Sequence, residues 1–236
     1  MLLEVCVEDI AGLKAAIEGG GDRIELCSAL PLGGLTPSAG LMAAAARMPV
    51  PAYAIVRPRA GSFVYSGDEL DIMKRDIDAA RAAGLPGVVL GASLPDGRLD
   101  IDALAALAAQ AEGLGKTLHR AFDLVPDVEE AVDAAISLGF ERILTSGGAR
   151  TAAEGVAMLE QAIASAAGRI SIMPGSGVTL ATVGQLWPRL EISEIHASCS
   201  ATVSETDERV IALGFSTPSV RRTDAATVRA LKAYFD

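Results

Sequence analysis

The side chains best suited to chemistry are few in this chain. Of its 236 residues only two are His and three are Cys. His119 is followed four residues later by Asp123, a spacing that would put both on one face of an extended segment as a paired acid and base. Arg57 and Arg59 flank Pro58 at the end of an apolar run. They read either as a clamp for a carboxylate or phosphate or, for Arg57, as an ion pair with Glu25 or Asp123. Glu25 and Cys27 alternate on one short segment, Glu4 and Cys6 on another, and His196 and Ser198 on a third. Adjacent strands lie about 4.8 Å apart, close enough for two inward thiols on neighbours to share a soft ion such as Cu(I). The competing reading is that Cys6 and Cys27 are small buried core residues. Cys199 has the parity opposite to Ser198 and is expected to face away. Two Gly-rich turns, Ser146-Gly147-Gly148 and Pro174-Gly175-Ser176-Gly177, offer backbone N–H groups to an anion, or reverse the chain and do no more.

These residues converge only if the surrounding elements form one architecture. Short runs of Val, Ile and Leu predict strands near Leu2 to Val7, Arg23 to Cys27, Ala52 to Arg57, Gly87 to Gly91, Lys116 to Asp123, Arg142 to Ser146, Ile170 to Pro174 and Ile192 to Ala197. Ala-rich segments between them predict helices over Ile10 to Glu18, Pro37 to Arg47, Asp68 to Ala83, Asp100 to Glu112, Asp127 to Leu138, Thr151 to Ala166, Leu180 to Trp187 and Asp224 to Tyr234. Eight strand-helix units without a break in composition predict an α/β fold, a (β/α)8 TIM barrel built as a single domain over residues 1–236. Active sites in such barrels lie at the C-terminal ends of the strands, where Glu25, Cys27, Arg57, Arg59, His119, Asp123 and His196 would meet. The segment from Ser198 to Thr223 has no clear pattern, and is expected to cover the mouth or pack on a second subunit.

Composition narrows the function. The formal net charge is −10 and no run of Lys and Arg is interleaved with aromatics, so no nucleic acid partner is expected. The most apolar stretch, Leu41 to Val56, is interrupted by Arg47, Pro49 and Pro51, so no membrane span is expected. The first residues, with Glu4, Glu8 and Asp9, do not read as a secretory signal. Three cysteines without paired zinc spacing favour reduced thiols in the cytosol. Of the four lysines, Lys14, Lys74 and Lys232 fall on helices and Lys116 opens a strand. None reaches the mouth, which sets aside Schiff-base aldolase chemistry.

Several motifs in order, Asp22-Arg23-Ile24-Glu25-Leu26-Cys27, Gly33-Gly34-Leu35-Thr36-Pro37-Ser38, Arg57-Pro58-Arg59, Phe63 with Tyr65-Ser66, His119-Arg120-Ala121-Phe122-Asp123 and Leu144-Thr145-Ser146-Gly147, resemble the copper homeostasis protein CutC family. The resemblance runs from about Leu3 to Ser198, and departs at Ala60, at Ser62 and after Ser198. It implies a (β/α) barrel in the cytoplasm, a homodimer or higher homo-oligomer, and a role in copper handling with Cu(I) held by cysteine, here Cys27 and Cys6. The signature is nevertheless mostly Arg, His, Glu, Asp, Ser and Gly, the equipment of an anion pocket. A second reading therefore stands beside the first. It is a lyase or isomerase acting on a small phosphorylated or carboxylate substrate. Arg57, Arg59, Ser146, Gly147, Gly175, Ser176, Gly177, His196 and Ser198 would bind this anionic ligand, and His119, Asp123 and Glu25 would move protons.

Overall fold

The computed structural model describes residues 1–235. Its parallel strands are β1 (Leu2–Val7), β2 (Arg23–Leu26), β3 (Ala52–Ile55), β4 (Gly87–Leu90), β5 (Gly115–Leu118), β6 (Arg142–Thr145), β7 (Ser171–Pro174) and β8 (Glu194–Ala197). They are hydrogen-bonded in the order β7-β6-β5-β4-β3-β2-β1-β8, so the sheet curls until β7 and β8 meet and a (β/α)8 barrel is nearly closed. Helices α1 (Ile10–Glu18), α2 (Ala39–Ala45), α3 (Gly67–Ala83), α4 (Ile101–Gln110), α5 (Val128–Ser137) and α6 (Val156–Ala166) alternate with the first seven strands. Asp9, Ser38, Ser66, Asp100 and Asp127 each accept a backbone N–H at the start of their helix, which stabilises each by about 0.5–2 kcal/mol.

Strand parity decides what each face meets. Leu3, Val5 and Val7 of β1 join the large core between barrel and helices, with Ile24, Leu26, Val88, Leu90 and Leu118. Cys6, Cys27, Tyr53, Ile55 and Val89 form a separate cluster inside the barrel. The interior is thus lined by the alternate residues, and the polar ones among them are buried: Glu4, Arg23, Glu25, Thr117, His119, Arg142 and His196.

Three elements differ from the sequence expectation. The fifth strand stops at Leu118, and Arg120–Leu124 is a 3-10 turn. His119 caps that turn, its Nδ1 accepting the Ala121 N–H at 3.1 Å, while Phe122 turns fully into the core. Asp123 is therefore not on a strand face with His119. Of the segment Leu180 to Trp187, only a 3-10 turn at Val183–Gln185 forms, so no full helix follows the Gly175 turn. Finally, residues 198–223 are ordered as an antiparallel hairpin, β9 (Ser200–Ser204) and β10 (Ser219–Thr223), with α7 (Glu208–Ala212) between them. The Asp224 N–H donates to the Cys199 carbonyl at 3.0 Å and closes the excursion. α8 (Ala225–Ala233) then packs against α1. The hairpin leans on the start of α1 and on Leu30 and Pro31, leaving a cavity of about 490 Å³ between them.

Candidate functional site

The lower half of the barrel interior is ionic. Arg23 bridges Glu4 and Glu194, Arg142 reaches Glu194 at 3.1 Å, and Arg142 also donates to Thr117 Oγ1 at 3.0 Å. Both guanidinium groups lie over the Tyr53 ring, 5.7 and 5.1 Å from its centroid. Buried charges need such partners, because removing one leaves its counter-charge unsolvated. This layer fixes Glu4, which carries the order upward. Glu4 Oε1 accepts from His196 Nδ1 at 2.8 Å. Burial alone would raise the Glu4 carboxyl, but the hydrogen bond and charge of His196, and then Arg23, hold it at about 2.

Above Glu4, strands β1, β2 and β8 bring together Cys6, Glu25 and His196. Cys6 and Glu25 are register partners. One ligand atom from each of the three lies within 4.8 Å of the others, and all three residues are buried. His196 Nε2 stands 3.7 Å from Glu25 Oε2. Burial works against the imidazolium, yet Cys6, Glu4 and Glu25 outweigh it and raise the His196 pKa well above its ordinary value. Burial raises Glu25 above the usual carboxylate range, with His196 opposing. A carboxylate on one imidazole nitrogen orients the other toward a metal, an arrangement common at metal centres. Cys27 is not part of this trio. It lies one layer nearer the loops, beneath Gly34, whose left-handed φ of 86 to 82° with Gly33 lets the loop close over the thiol. Burial, followed by Glu25 and Cys6, pushes the Cys27 thiol well up. Cys199 packs in the outer core, and burial pushes it up to about 12.

The opposite wall carries Arg57 and His119. With Cys6, Glu25, Ile55, Phe63, Leu144 and His196 they line a cavity of about 180 Å³. Arg57 pairs with neither Glu25 nor Asp123. Its Nη1 donates to the Leu32 and Gly34 carbonyls at 2.9 and 3.0 Å, and its Nη2 to the Gly61 carbonyl at 2.9 Å. The guanidinium thereby holds two loops, and lies 5.0 Å from the Phe63 ring centroid. The His119 ring packs against the same Phe63 ring, tilted by 44° with centroids 4.8 Å apart. Burial, then the charge of Arg57, lowers His119 to about 3, so its ring is neutral. Because Nδ1 accepts from Ala121, Nε2 carries the proton, and it has no partner among the described residues.

The remaining expected site residues are engaged in holding loops. Arg59 pairs with Glu69, which completes the capping box of α3, and donates to the Ser62 and Val64 carbonyls at 2.8 and 2.7 Å. Asp123 accepts from Thr145 Oγ1 at 2.5 Å, Ser146 N at 2.9 Å, Ser146 Oγ at 2.9 Å, Gly148 N at 3.1 Å and Arg120 Nε at 2.7 Å. The anion in the Ser146-Gly147-Gly148 turn is thus the protein's own carboxylate, and the Gly147 N–H goes to Thr145 Oγ1 at 2.9 Å. In the other turn the Gly175 N–H donates to the Thr145 carbonyl at 2.9 Å and Ser176 Oγ to the Arg150 carbonyl at 2.9 Å, and Gly177 adopts a left-handed φ. Ser176 alone of these turn residues lines the His119 cavity. Ser198 Oγ faces Ser200 Oγ at 3.0 Å, beside the hairpin cavity instead.

The CutC family model matches residues 1–201. The chain belongs to the CutC family. A CutC family protein of Sinorhizobium medicae is 63% identical over 236 residues, covering 100% of this chain and 96% of the relative. One from Vibrio campbellii is 50% identical over 203 residues, 85% of this chain and 82% of the relative. The crystal structure of a copper homeostasis protein CutC from Streptococcus agalactiae superposes with a TM-score of 0.80 at 31% identity, over 84% of this chain and 98% of that one. In this CutC chain the trio, Arg57 and His119 all lie within the matched span, whereas most of the β9–β10 hairpin and all of α8 lie beyond it. Glu4 and Phe63, which the sequence left outside the site, are structural keys to it. The signal for Glu4 was its parity with Cys6.

Proposed function

We propose that this CutC protein takes part in copper homeostasis by binding Cu(I) at the barrel mouth, in the cytoplasm and as a homo-oligomer. The observation that carries the reading is the convergence of Cys6, Glu25 and His196 within 4.8 Å. The donor set suits the ion in part. A thiolate and an imidazole are ligands Cu(I) accepts, whereas a carboxylate is a harder donor. Cys6 Sγ and His196 Nε2 are therefore the ligating pair, and Glu25 balances charge and receives the proton that binding displaces from His196 or Cys6. Cys27, expected from the resemblance to be a ligand, serves as the nearest further thiol. No described helix is long and apolar enough to cross a membrane, and the exposed Leu213 and Phe215 after α7 offer apolar surface to a second copy.

The test is competition for Cu(I) against a chromophoric chelator under reducing conditions. Wild type should withdraw one equivalent. Cys6→Ser should fail to do so, His196→Gln should bind more weakly, and Cys27→Ser should retain stoichiometric binding. If Cys6→Ser competes as well as wild type, the thiol site is wrong. Light scattering on the same samples reads the oligomeric state, and a monomer would remove that part of the reading.

A further inference from the structure

The wall facing the copper trio is built for something the trio does not explain. Arg57 is almost fully buried, with 5% of its surface exposed. Its contacts are the three loop carbonyls at 2.9, 3.0 and 2.9 Å, and among the described residues no carboxylate lies within the 4.0 Å of an ion pair. Buried charges are ordinarily paired, and the other interior arginines, Arg23 and Arg142, obey that rule. The Tyr65 hydroxyl lies against Arg57, whose Nε makes no further hydrogen bond among the described residues. His119, whose ring also packs against Phe63, is 3% exposed and presents an Nε2–H that no described residue accepts. Leaving a buried donor unpaired costs about 1–3 kcal/mol. His119 Nε2 is such a donor, and it shares a cavity of about 180 Å³ with Arg57, so the site holds a positive charge without an ion-pair partner and a neutral donor fixed beside it.

We infer that this cavity binds a small organic monocarboxylate, one carboxylate oxygen accepting from His119 Nε2–H and the anion neutralising Arg57. The body of the ligand lies over Ile55 and Leu144 and ends at the face formed by Cys6, Glu25 and His196. A carboxylate fits better than a phosphoryl group. A phosphoryl group brings up to two charges and three acceptor oxygens, whereas the cavity offers the single unpaired charge of Arg57 and the single free donor of His119, and the Gly175 N–H of the turn after β7 is already given to the Thr145 carbonyl. The site does not depend on the copper reading, since neither of its donors is a proposed ligand.

The experiment uses metal-free full-length protein in a buffer without carboxylates, titrated with acetate, pyruvate, acetamide or inorganic phosphate. Binding is followed by calorimetry and by the imidazole nitrogen resonances. Acetate or pyruvate should bind saturably and shift His119 Nε2 more than Nδ1. His119→Asn keeps a side-chain acceptor for the Ala121 N–H but removes the Nε2 donor, and should weaken binding about tenfold or more, as loss of a hydrogen bond to a charged group does. The protein is metal-free throughout and neither donor is a proposed copper ligand, so a failed copper competition leaves this result intact. The inference is overturned if acetate and pyruvate do not saturate or leave His119 Nε2 unmoved. It is equally overturned if acetamide or phosphate binds as well, or if His119→Asn binds acetate like wild type.

Discussion

Protonating His119 should unfold the protein in a measurable way. Its ring is neutral because burial and the charge of Arg57 lower its pKa from 6.5 to about 3. In the unfolded chain the imidazole recovers its ordinary value, so between these limits the unfolded state binds more protons and stability rises with pH. The contribution is fully present above the unfolded pKa and is lost as pH falls toward the folded one. Each unit of displacement is worth 1.36 kcal/mol, which puts the loss at about 2 kcal/mol by about pH 5 and at about 4–5 kcal/mol by about pH 3. The assay is urea denaturation of wild type and His119→Asn at about pH 7.5, 6 and 5, without carboxylate buffers. Groups common to both proteins, such as Glu4 and His196, cancel in the comparison. Wild type should lose about 2 kcal/mol more than the variant between the extremes. If the two lose stability in parallel, the neutral, buried His119 is refuted, and with it the assignment of its Nδ1 as the acceptor of the Ala121 N–H.

Other perturbations follow from the same packing. Arg23→Met leaves Glu4 and Glu194 buried with less counter-charge, and should cost about 3–5 kcal/mol in denaturant unfolding. Asp123→Asn turns an amide toward donors that now point at a carboxylate. It should cost about 2 kcal/mol or more and raise hydrogen exchange at Ser146 and Gly148. Gly91→Ala places a Cβ 2.5 Å from His119 Cε1 and Nδ1, and should lower stability by about 1–3 kcal/mol while displacing the His119 resonances.

The barrel itself was legible in the sequence because strands buried on both faces leave apolar runs that helices interrupt on a regular schedule. The site was legible where parity held. On β1 and β2 the alternation placed Cys6 and Glu25 inward, and β8 added His196, which is where the structure gathers them. It failed where a polar alternation outran its strand. The residues from Thr117 to Asp123 keep the period of two, but the chain turns at Arg120 because His119 caps it and Phe122 is more stable in the core. Side-chain partners were the second blind spot. Position at a strand end suggests Arg57 and Arg59 as an anion clamp, or Arg57 as an ion pair, yet their donors go largely to carbonyls of loops whose course no local pattern reveals. The β9–β10 hairpin escaped notice because its strands are short, exposed and rich in Ser, Thr and Arg.

Asp123 has a consequence for anyone wishing to redesign this barrel. It acts as a built-in plug, occupying with its own side chain the socket that two backbone N–H groups, two hydroxyls and Arg120 create. Trimmed to glycine, the same loop becomes an open receptor for an exogenous anion, and restoring stability with added formate would be chemical rescue. The chain thus carries, already folded, a dormant cradle that a single substitution would unlock.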